Sequence, residues 1–510
     1  MSPHDPHFVL SLDQGTTGTT AILFDLGTTP HYLVSEGSKD FPQHYPSSDW
    51  VEHDLEEILN SCEEAMRECL IKAKKKFPTF KETQIKTIGI TNQRETICVF
   101  EKNSGKPLRK AIVWQCKRSA KICEDLKKND LEKKFQNKTG LLLDPYFTGT
   151  KIKWILENEK TISKKIKSGE ALLGTIDTFL LYWLTGGKSF FTEPSNASRT
   201  LLYNIKEKKW DKELLNLLGD IPETSLPEVI HSDSLFGKTK GLSFLPDNIS
   251  IHGILGDQQA SLFGQTCFKK GDSKCTYGTG AFFLMNTGKS PVLSKEGLLT
   301  TIAWDLKKEG MSYALEGSCF IAGAAVGFLR DNLHMIDHVK ETGEIKEDTE
   351  AAPHIYFVPA LTGLGAPYWK PKARGILLGL TRSTTKEQII KATLEGICFQ
   401  VEDLLATFKK ESGLELKELC VDGGATANEI LMKTQSYLSQ LKILRPEILE
   451  STAYGAALIS AYGSGFIKSL EDLKKQKTIG KSFDVKLTQE EQEQRKEKLE
   501  GWKKAVSLLL

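Results

Sequence analysis

Leu12-Asp13-Gln14-Gly15-Thr16-Thr17-Gly18-Thr19-Thr20, residues 12–20, sets an aspartate at the end of an apolar strand and a glycine- and hydroxyl-rich turn directly after it. Phe8 to Leu12 alternates loosely, and Ala21-Ile22-Leu23-Phe24 starts a second strand. The stretch therefore predicts a hairpin with Gly15 and Gly18 in its turn. Two readings fit. As a phosphate loop, Gly15 lets backbone N–H groups approach an anion, the Thr16 and Thr17 hydroxyls add donors, and Asp13 faces a hydrated Mg²⁺. As an ordinary polar hairpin it needs no ligand, because glycine and threonine are common turn residues. One such turn does not decide between them.

Two more turns of the same kind each follow an apolar strand: Tyr277-Gly278-Thr279-Gly280, and Asp422-Gly423-Gly424-Ala425 after Leu419-Cys420-Val421. No GxxxxGK[ST] occurs, which excludes a P-loop. One turn in each half and a third near the end suit an ATP cleft between two domains. Two loops hold phosphates from opposite sides, and the third lets the backbone lie flat against adenosine. The order resembles that of the actin, sugar-kinase and chaperone-ATPase superfamily. The fold class this implies is α/β, two ribonuclease-H-like domains with a cleft between them.

Composition agrees with two large domains. A chain of 510 residues is too long for one core. Lys+Arg 68 against Asp+Glu 66 leaves a net charge of +2, which argues against a nucleic-acid partner. The ten cysteines form no CxxC pair and sit mostly in apolar stretches, as small buried residues in a reducing compartment would. The opening MSPHDPHFVL lacks a basic region followed by an apolar run, and no apolar stretch approaches membrane-spanning length. A cytoplasmic chain with no membrane insertion is expected.

Along the chain, Leu55, Ile58, Leu59, Cys62, Ala65, Met66, Cys69, Leu70 and Ala73 follow helical spacing. Asp54 and Glu57 are placed to form a capping box and Pro78 to stop the helix. The Lys-rich stretch 117–170 reads as helical and solvated, and the charged tail after about residue 485, with its spaced apolar set Leu499, Trp502, Val506 and Leu509, as a surface helix. Small residues from Ala453 to Ala461 predict a closely packed helix. The domain boundary is expected near Gly264-Gln265, giving domains 1–265 and 266–510.

A closer resemblance rests on longer motifs. These are Gly89-Ile90-Thr91-Asn92-Gln93-Arg94-Glu95-Thr96, Ala111-Ile112-Val113-Trp114-Gln115-Cys116, Asp144-Pro145-Tyr146-Phe147 with Lys151 and Trp154, Gly256-Asp257-Gln258-Gln259-Ala260, and Thr362-Gly363-Leu364-Gly365-Ala366-Pro367-Tyr368-Trp369. From roughly residue 8 to 470 the chain is similar to the carbohydrate kinase family. Within it, the likeness is to members that phosphorylate glycerol rather than xylulose or gluconate. The resemblance implies ATP with Mg²⁺, glycerol as the small-molecule substrate, and a homo-oligomer.

The chemistry of such a kinase is to deprotonate one hydroxyl, fix the others and neutralise the transferring phosphoryl group. By resemblance Asp257 is the base. Arg94, Glu95, Tyr146 and Gln258 would hold the triol beside it, with Trp114 and Phe282 against its carbons. Asp13 would hold Mg²⁺ through water. Thr16, Thr17, Gly18 and Thr279 would face phosphate oxygens, and Gly323, Gly327, Gly424 and Asn428 would line the nucleotide. The blander readings are a helix N-cap for Asp257, a solvated turn ion pair for Arg94-Glu95, and core packing for Trp114 and Phe282.

The chain departs from the family pattern at two places. Gly18-Thr19-Thr20 stands where two serines and an arginine usually follow Thr17, so a phosphate-facing cation is missing. Gly327 stands where many members carry glutamine. The glycine-rich basic loop that some members use to bind a sugar bisphosphate is also absent; Phe236 to Phe244 occupies its place.

Overall fold

The computed structural model describes residues 6–28, 31–346 and 354–510. The first five residues, part of the opening read above for a leader, lie outside the described residues. The predicted hairpin forms: β1 (Phe8–Gln14) runs antiparallel to β2 (Gly18–Asp25), and the Gly15 N–H donates to the Gly18 carbonyl at 2.9 Å across the turn.

Around it stands a six-stranded sheet. β3 (Tyr32–Asp40) extends it antiparallel beyond β2. On the other side β4 (Ile85–Asn92) pairs parallel with β1, β6 (Ser250–Gly256) pairs parallel with β4, and β5 (Leu235–Lys238) closes the edge antiparallel. β1 and β4 end side by side, Asp13 opposite Thr91 and Gln14 opposite Asn92. That puts the first glycine turn and the Asn92–Glu95 loop at one end of the sheet.

The second half repeats the arrangement in a seven-stranded sheet. β7 (Ser273–Tyr277) pairs antiparallel with β8 (Ala281–Gly288) across the second glycine turn. β9 (Leu299–Leu306) and β10 (Gly310–Cys319) extend that side antiparallel. β11 (Glu418–Asp422) and β12 (Lys442–Pro446) continue the other side in parallel, and β13 (Ile479–Phe483) ends it. Antiparallel strands followed by two parallel ones, three and two in the first sheet and four and two in the second, is the α/β two-domain architecture expected from the turns.

The halves are welded by an apolar cluster drawn from both, including Val9, Ile22, Leu255, Phe263, Leu284, Trp304, Cys420 and Ile459. Burying such surface contributes about 25 cal/mol per Å². The small-residue helix, Ser451–Gly463, crosses the helix Asp257–Gly264 so closely that a Cβ on Gly455 would lie 1.8 Å from the Ala260 carbonyl oxygen. Only glycine permits that approach.

Two local expectations need correction. The first helix, Leu55–Lys76, starts at Asp54, but the Asp54 carboxylate accepts from Glu56 N–H and no capping box forms. Glu57 instead meets His44 at 2.7 Å. The Lys-rich stretch is not solvated throughout, since Lys151 is fully buried. The tail forms the expected surface helix, Gln489–Ser507, and its apolar set packs on the core: Trp502 is buried, stacks on Phe399 and donates to Asp403 at 2.7 Å. All ten cysteines are free and buried. Among the described residues no helix is long and apolar enough to cross a membrane.

Candidate active site

The Gln93–Thr96 loop leaves the end of β4 and is buried, with Glu95 in a left-handed conformation, φ 60°. That conformation is rare for a residue with a side chain. It is held here because the Glu95 carbonyl accepts from Thr148 Oγ1 at 3.1 Å and from Lys151 Nζ at 3.3 Å. Lys151 also donates to the Tyr146 carbonyl, so one buried ammonium fixes two of the expected polyol residues.

Arg94 and Glu95 are adjacent in sequence, but their strongest partners lie elsewhere. Arg94 forks onto Glu316, Nη1 to Oε2 at 2.6 Å and Nη2 to Oε1 at 3.0 Å, and its Nη1 also reaches Gln259 Oε1 at 3.1 Å. Its Nε lies 3.0 Å from Asp257 Oδ1. Glu95 accepts from Arg199 Nε at 2.5 Å, and Arg199 Nη2 donates to Glu316 at 3.0 Å. Burial raises Glu95 above the usual carboxylate range even beside Arg199 and Arg94. Burial works against Glu316 as well, but Arg199 and Arg94 hold it down at about 2. The turn ion pair is thus a buried charge network.

Asp257 opens the helix Asp257–Gly264, and its Oδ1 takes the Gln258 N–H at 2.7 Å as well as the Arg94 contact. Its Oδ2 has no partner among the described residues. The Asp257 side chain is 30% exposed where Arg94 is 2%. Gln258 is buried, its Oε1 taken by the buried Lys274 ammonium, which also donates to Thr276 Oγ1 at 2.8 Å. The Gln258 amide N–H groups therefore remain for a ligand. Tyr146 and Trp114 are half-buried and meet edge to face, with ring centroids 5.5 Å apart. Phe282, half-buried on β8, stands across from Thr276.

The first turn is joined to this loop. Gln93 N–H donates to the Gln14 carbonyl at 2.7 Å, and its side-chain amide donates to the Gly15 carbonyl at 3.0 Å. Thr17 is exposed, Thr16 and Gly18 half-buried. The Asp13 carboxylate accepts no hydrogen bond from the protein among the described residues. Burial, then Asp257 and Glu450, push its carboxyl up to about 8. A carboxylate crowded by two others and left without donors is chemistry that fits a hard divalent cation with its water shell.

Across the cleft, Thr279 is exposed on the second turn, and its carbonyl accepts the Ala322 N–H at 2.8 Å. Gly323 begins the helix Gly323–Asp331 and packs on Gly278, where a Cβ would lie 2.7 Å from the Gly278 carbonyl oxygen. Gly327 is one turn further on, with only Asp331 Oδ2 near its Cβ position, at 3.8 Å. Gly424 faces open space. Asn428 caps the helix Glu429–Ser439 through Leu431 N–H at 3.0 Å and donates to Thr342 at 2.9 Å. Its side chain thus has a structural duty as well. Asp422, at the head of the third turn, takes Ser261 Oγ at 2.7 Å and Gln265 Nε2 at 3.1 Å.

Sequence reasoning missed Arg199, Lys274 and Glu316. A lone carboxylate inside the apolar run Tyr313-Ala314-Leu315-Glu316 was a signal for the last; Arg199 and Lys274 carry none in the chain around them.

Comparison with known proteins gives a consistent family. The model described as "FGGY family of carbohydrate kinases, N-terminal domain" matches residues 8–264, and its C-terminal counterpart matches 273–464. A glycerol kinase of Bdellovibrio bacteriovorus is 50% identical over 500 residues, 98% of each chain. One of Bacillus cytotoxicus is 47% identical over 499 residues, again 98% of each. Among solved structures, Plasmodium falciparum glycerol kinase with ADP superposes with a TM-score of 0.91 at 35% identity, covering 99% of this chain and 98% of that one.

Proposed function

The chain belongs to the FGGY family of carbohydrate kinases, and on that footing we propose that Asp257 is the general base in transfer of the γ-phosphoryl group of ATP to a terminal hydroxyl of glycerol. Glycerol kinase activity with ATP follows from the full-length likeness to glycerol kinases. The product is sn-glycerol 3-phosphate, and the role is glycerol uptake and catabolism in the cytoplasm, which free buried thiols fit.

One observation carries the assignment of the base. Asp257 has one oxygen committed to Arg94 and the Gln258 N–H, and the other without a partner among the described residues, on a partly exposed side chain. The free oxygen accepts the hydroxyl proton while the committed one fixes the carboxylate plane. A positioned base contributes about 10²–10⁴-fold. Arg94, Glu95, Tyr146 and Gln258 supply donors and acceptors for the remaining hydroxyls, and Trp114 and Phe282 close over the carbons. Thr16, Thr17, Gly18 and Thr279 face the phosphates; Gly323, Gly327, Gly424 and Asn428 line the nucleoside. Asp13 would hold Mg²⁺ through water, and a bound divalent cation neutralises charge on the phosphate oxygens. The working division is 1–265 and 266–510, supported by the gap between the two matched segments. A homo-oligomer, expected from the resemblance, is checked by light scattering.

The test is a coupled assay over glycerol, 1,2-propanediol, xylulose and gluconate with wild type and Asp257→Asn. Glycerol is expected to lead in kcat/KM, because a missing hydroxyl leaves buried polar groups unpaired, a loss that reaches about 10⁴–10⁵ in favourable sites. Asp257→Asn should lose at least about 10² in kcat with both substrates still bound. Faster turnover of xylulose or gluconate overturns the substrate; turnover of the variant within a few-fold of wild type overturns the base.

A further inference from the structure

Among the described residues, Glu316 is the member of the Arg94–Glu95–Arg199–Asp257 ion-pair network that lies beyond the N-terminal matched segment. It sits on β10, within the C-terminal matched segment, while Arg94, Glu95, Arg199 and Asp257 all lie in the N-terminal one. It is 1% exposed, between two arginines that are 2% and 0% exposed. Its Oε2 takes Arg94 Nη1 at 2.6 Å, and its Oε1 takes both Arg94 Nη2 and Arg199 Nη2 at 3.0 Å.

Stability alone does not call for this group. Burying an Arg–Glu–Arg triad costs desolvation that its own Coulomb energy recovers only in part, and apolar side chains of equal volume often serve as well. What such a group does supply is orientation, since a bidentate carboxylate fixes the plane of a guanidinium. Both planes fixed here have a second duty. The Arg94 plane presents Nε to Asp257 at 3.0 Å, and the Arg199 plane presents Nε to Glu95 at 2.5 Å. The backbone of Glu95, at φ 60°, is itself held by Thr148 and Lys151, so the Arg199 contact is what remains to set its carboxylate.

We propose that Glu316 is a positioning residue for the polyol site, lent by the C-terminal domain, which sets the Asp257 and Glu95 carboxylates through Arg94 and Arg199. The proposal rests on the reading of Asp257 and Glu95 as glycerol-handling groups. It makes the polyol site complete only when the nucleotide-side domain stands against it as it does here. Catalytic geometry in the first domain then depends on the seating of the second.

The experiment uses the full-length enzyme. Glu316→Gln keeps the shape and removes the charge; Arg199→Lys keeps the charge and removes the planar fork. Steady-state kinetics with glycerol and 1,2-propanediol are measured alongside equilibrium binding of a non-hydrolysable ATP analogue. For Glu316→Gln, glycerol KM should rise and kcat fall, each by about 10-fold or more, with analogue Kd within about 2-fold of wild type. The preference for glycerol over 1,2-propanediol should shrink in the same variant. For Arg199→Lys, glycerol KM should rise about 5-fold or more with nucleotide binding again unchanged. If Glu316→Gln does not fold, Arg199→Lys decides. Glycerol kinetics within about 2-fold of wild type in the folded variants overturns the proposal, as does a parallel loss of analogue binding, which marks a structural role. A wild type that does not phosphorylate glycerol overturns the underlying function instead, and is seen before any variant is compared.

Discussion

Trp114 Nε1 donates to Thr16 Oγ1 at 2.9 Å. The indole expected to lie against the polyol carbons therefore also anchors a hydroxyl of the first phosphate loop. With the Gln93 contacts to Gln14 and Gly15, it makes the Gln93–Thr96 loop and the first glycine turn one connected body. The proposed substrate and nucleotide subsites are thus joined by hydrogen bonds within the first matched segment.

Trp114→Phe keeps a large ring and removes only the donor. A typical intramolecular hydrogen bond contributes about 0.5–1.5 kcal/mol, so KM for ATP should rise about 2- to 12-fold. Initial-rate kinetics with ATP varied at saturating glycerol measure it. An unchanged KM for ATP would show that Thr16 is held in place without the indole.

Asp13→Ala removes a carboxylate that burial, Asp257 and Glu450 already disfavour in its ionised form. The melting temperature should therefore stay the same or rise in EDTA, while the Mg²⁺ concentration needed for half-maximal rate increases. Thermal melts and a Mg²⁺ titration at fixed ATP measure the pair. A strong drop in melting temperature would return the opening stretch to a hairpin without a ligand role.

Thr20 lies directly across from Asp13 in the β1–β2 pairing. Thr20→Arg would set a guanidinium beside that carboxylate and at the edge of the phosphate loop. A charge-assisted hydrogen bond contributes about 1.5–3 kcal/mol, so ATP should bind about tenfold tighter or better by calorimetry. Weaker binding would mean that the loop is shaped around small side chains.

Asp403 accepts from Trp502 Nε1 at 2.7 Å and from Tyr368 Oη at 2.9 Å. Burial nonetheless lifts its carboxyl from the ordinary 3.8 to about 6. The folded state thus holds this proton more tightly than the unfolded chain does. The stabilisation is complete below the unfolded value and is lost as pH rises through the folded one, between about 4 and 6. Asp403→Asn lacks that loss. Its melting temperature relative to wild type should increase from pH 4 to pH 6 and level off above. A constant offset across that range would show that Asp403 does not titrate there.

The sequence by itself determined the fold class and much of the candidate site. Strand-turn patterns are local: a glycine, two hydroxyls and a closing aspartate form the same hairpin at 12–20 wherever the chain places it. The small-residue run Ala453 to Ala461 likewise carried its close packing in its composition. Long motifs such as Gly256 to Ala260 marked the family and, with it, the expected catalytic aspartate.

Only the tertiary structure decided who pairs with whom. Arg94 and Glu95 are neighbours along the chain, and taken in isolation they offered a solvated turn pair as the blander reading beside the polyol one. In the fold each is turned to a distant partner, Arg94 to Glu316 and Glu95 to Arg199, because β4 ends against the second domain and excludes water from the loop. The same holds for Lys151, which a solvated Lys-rich helix would not single out, and for the partners of Trp502: its spacing marked an apolar face, but only the fold put Phe399 and Asp403 beneath it. Charges separated by a hundred or more residues leave no periodicity. Their pairing is a product of desolvation, and desolvation is set by the packing of whole domains.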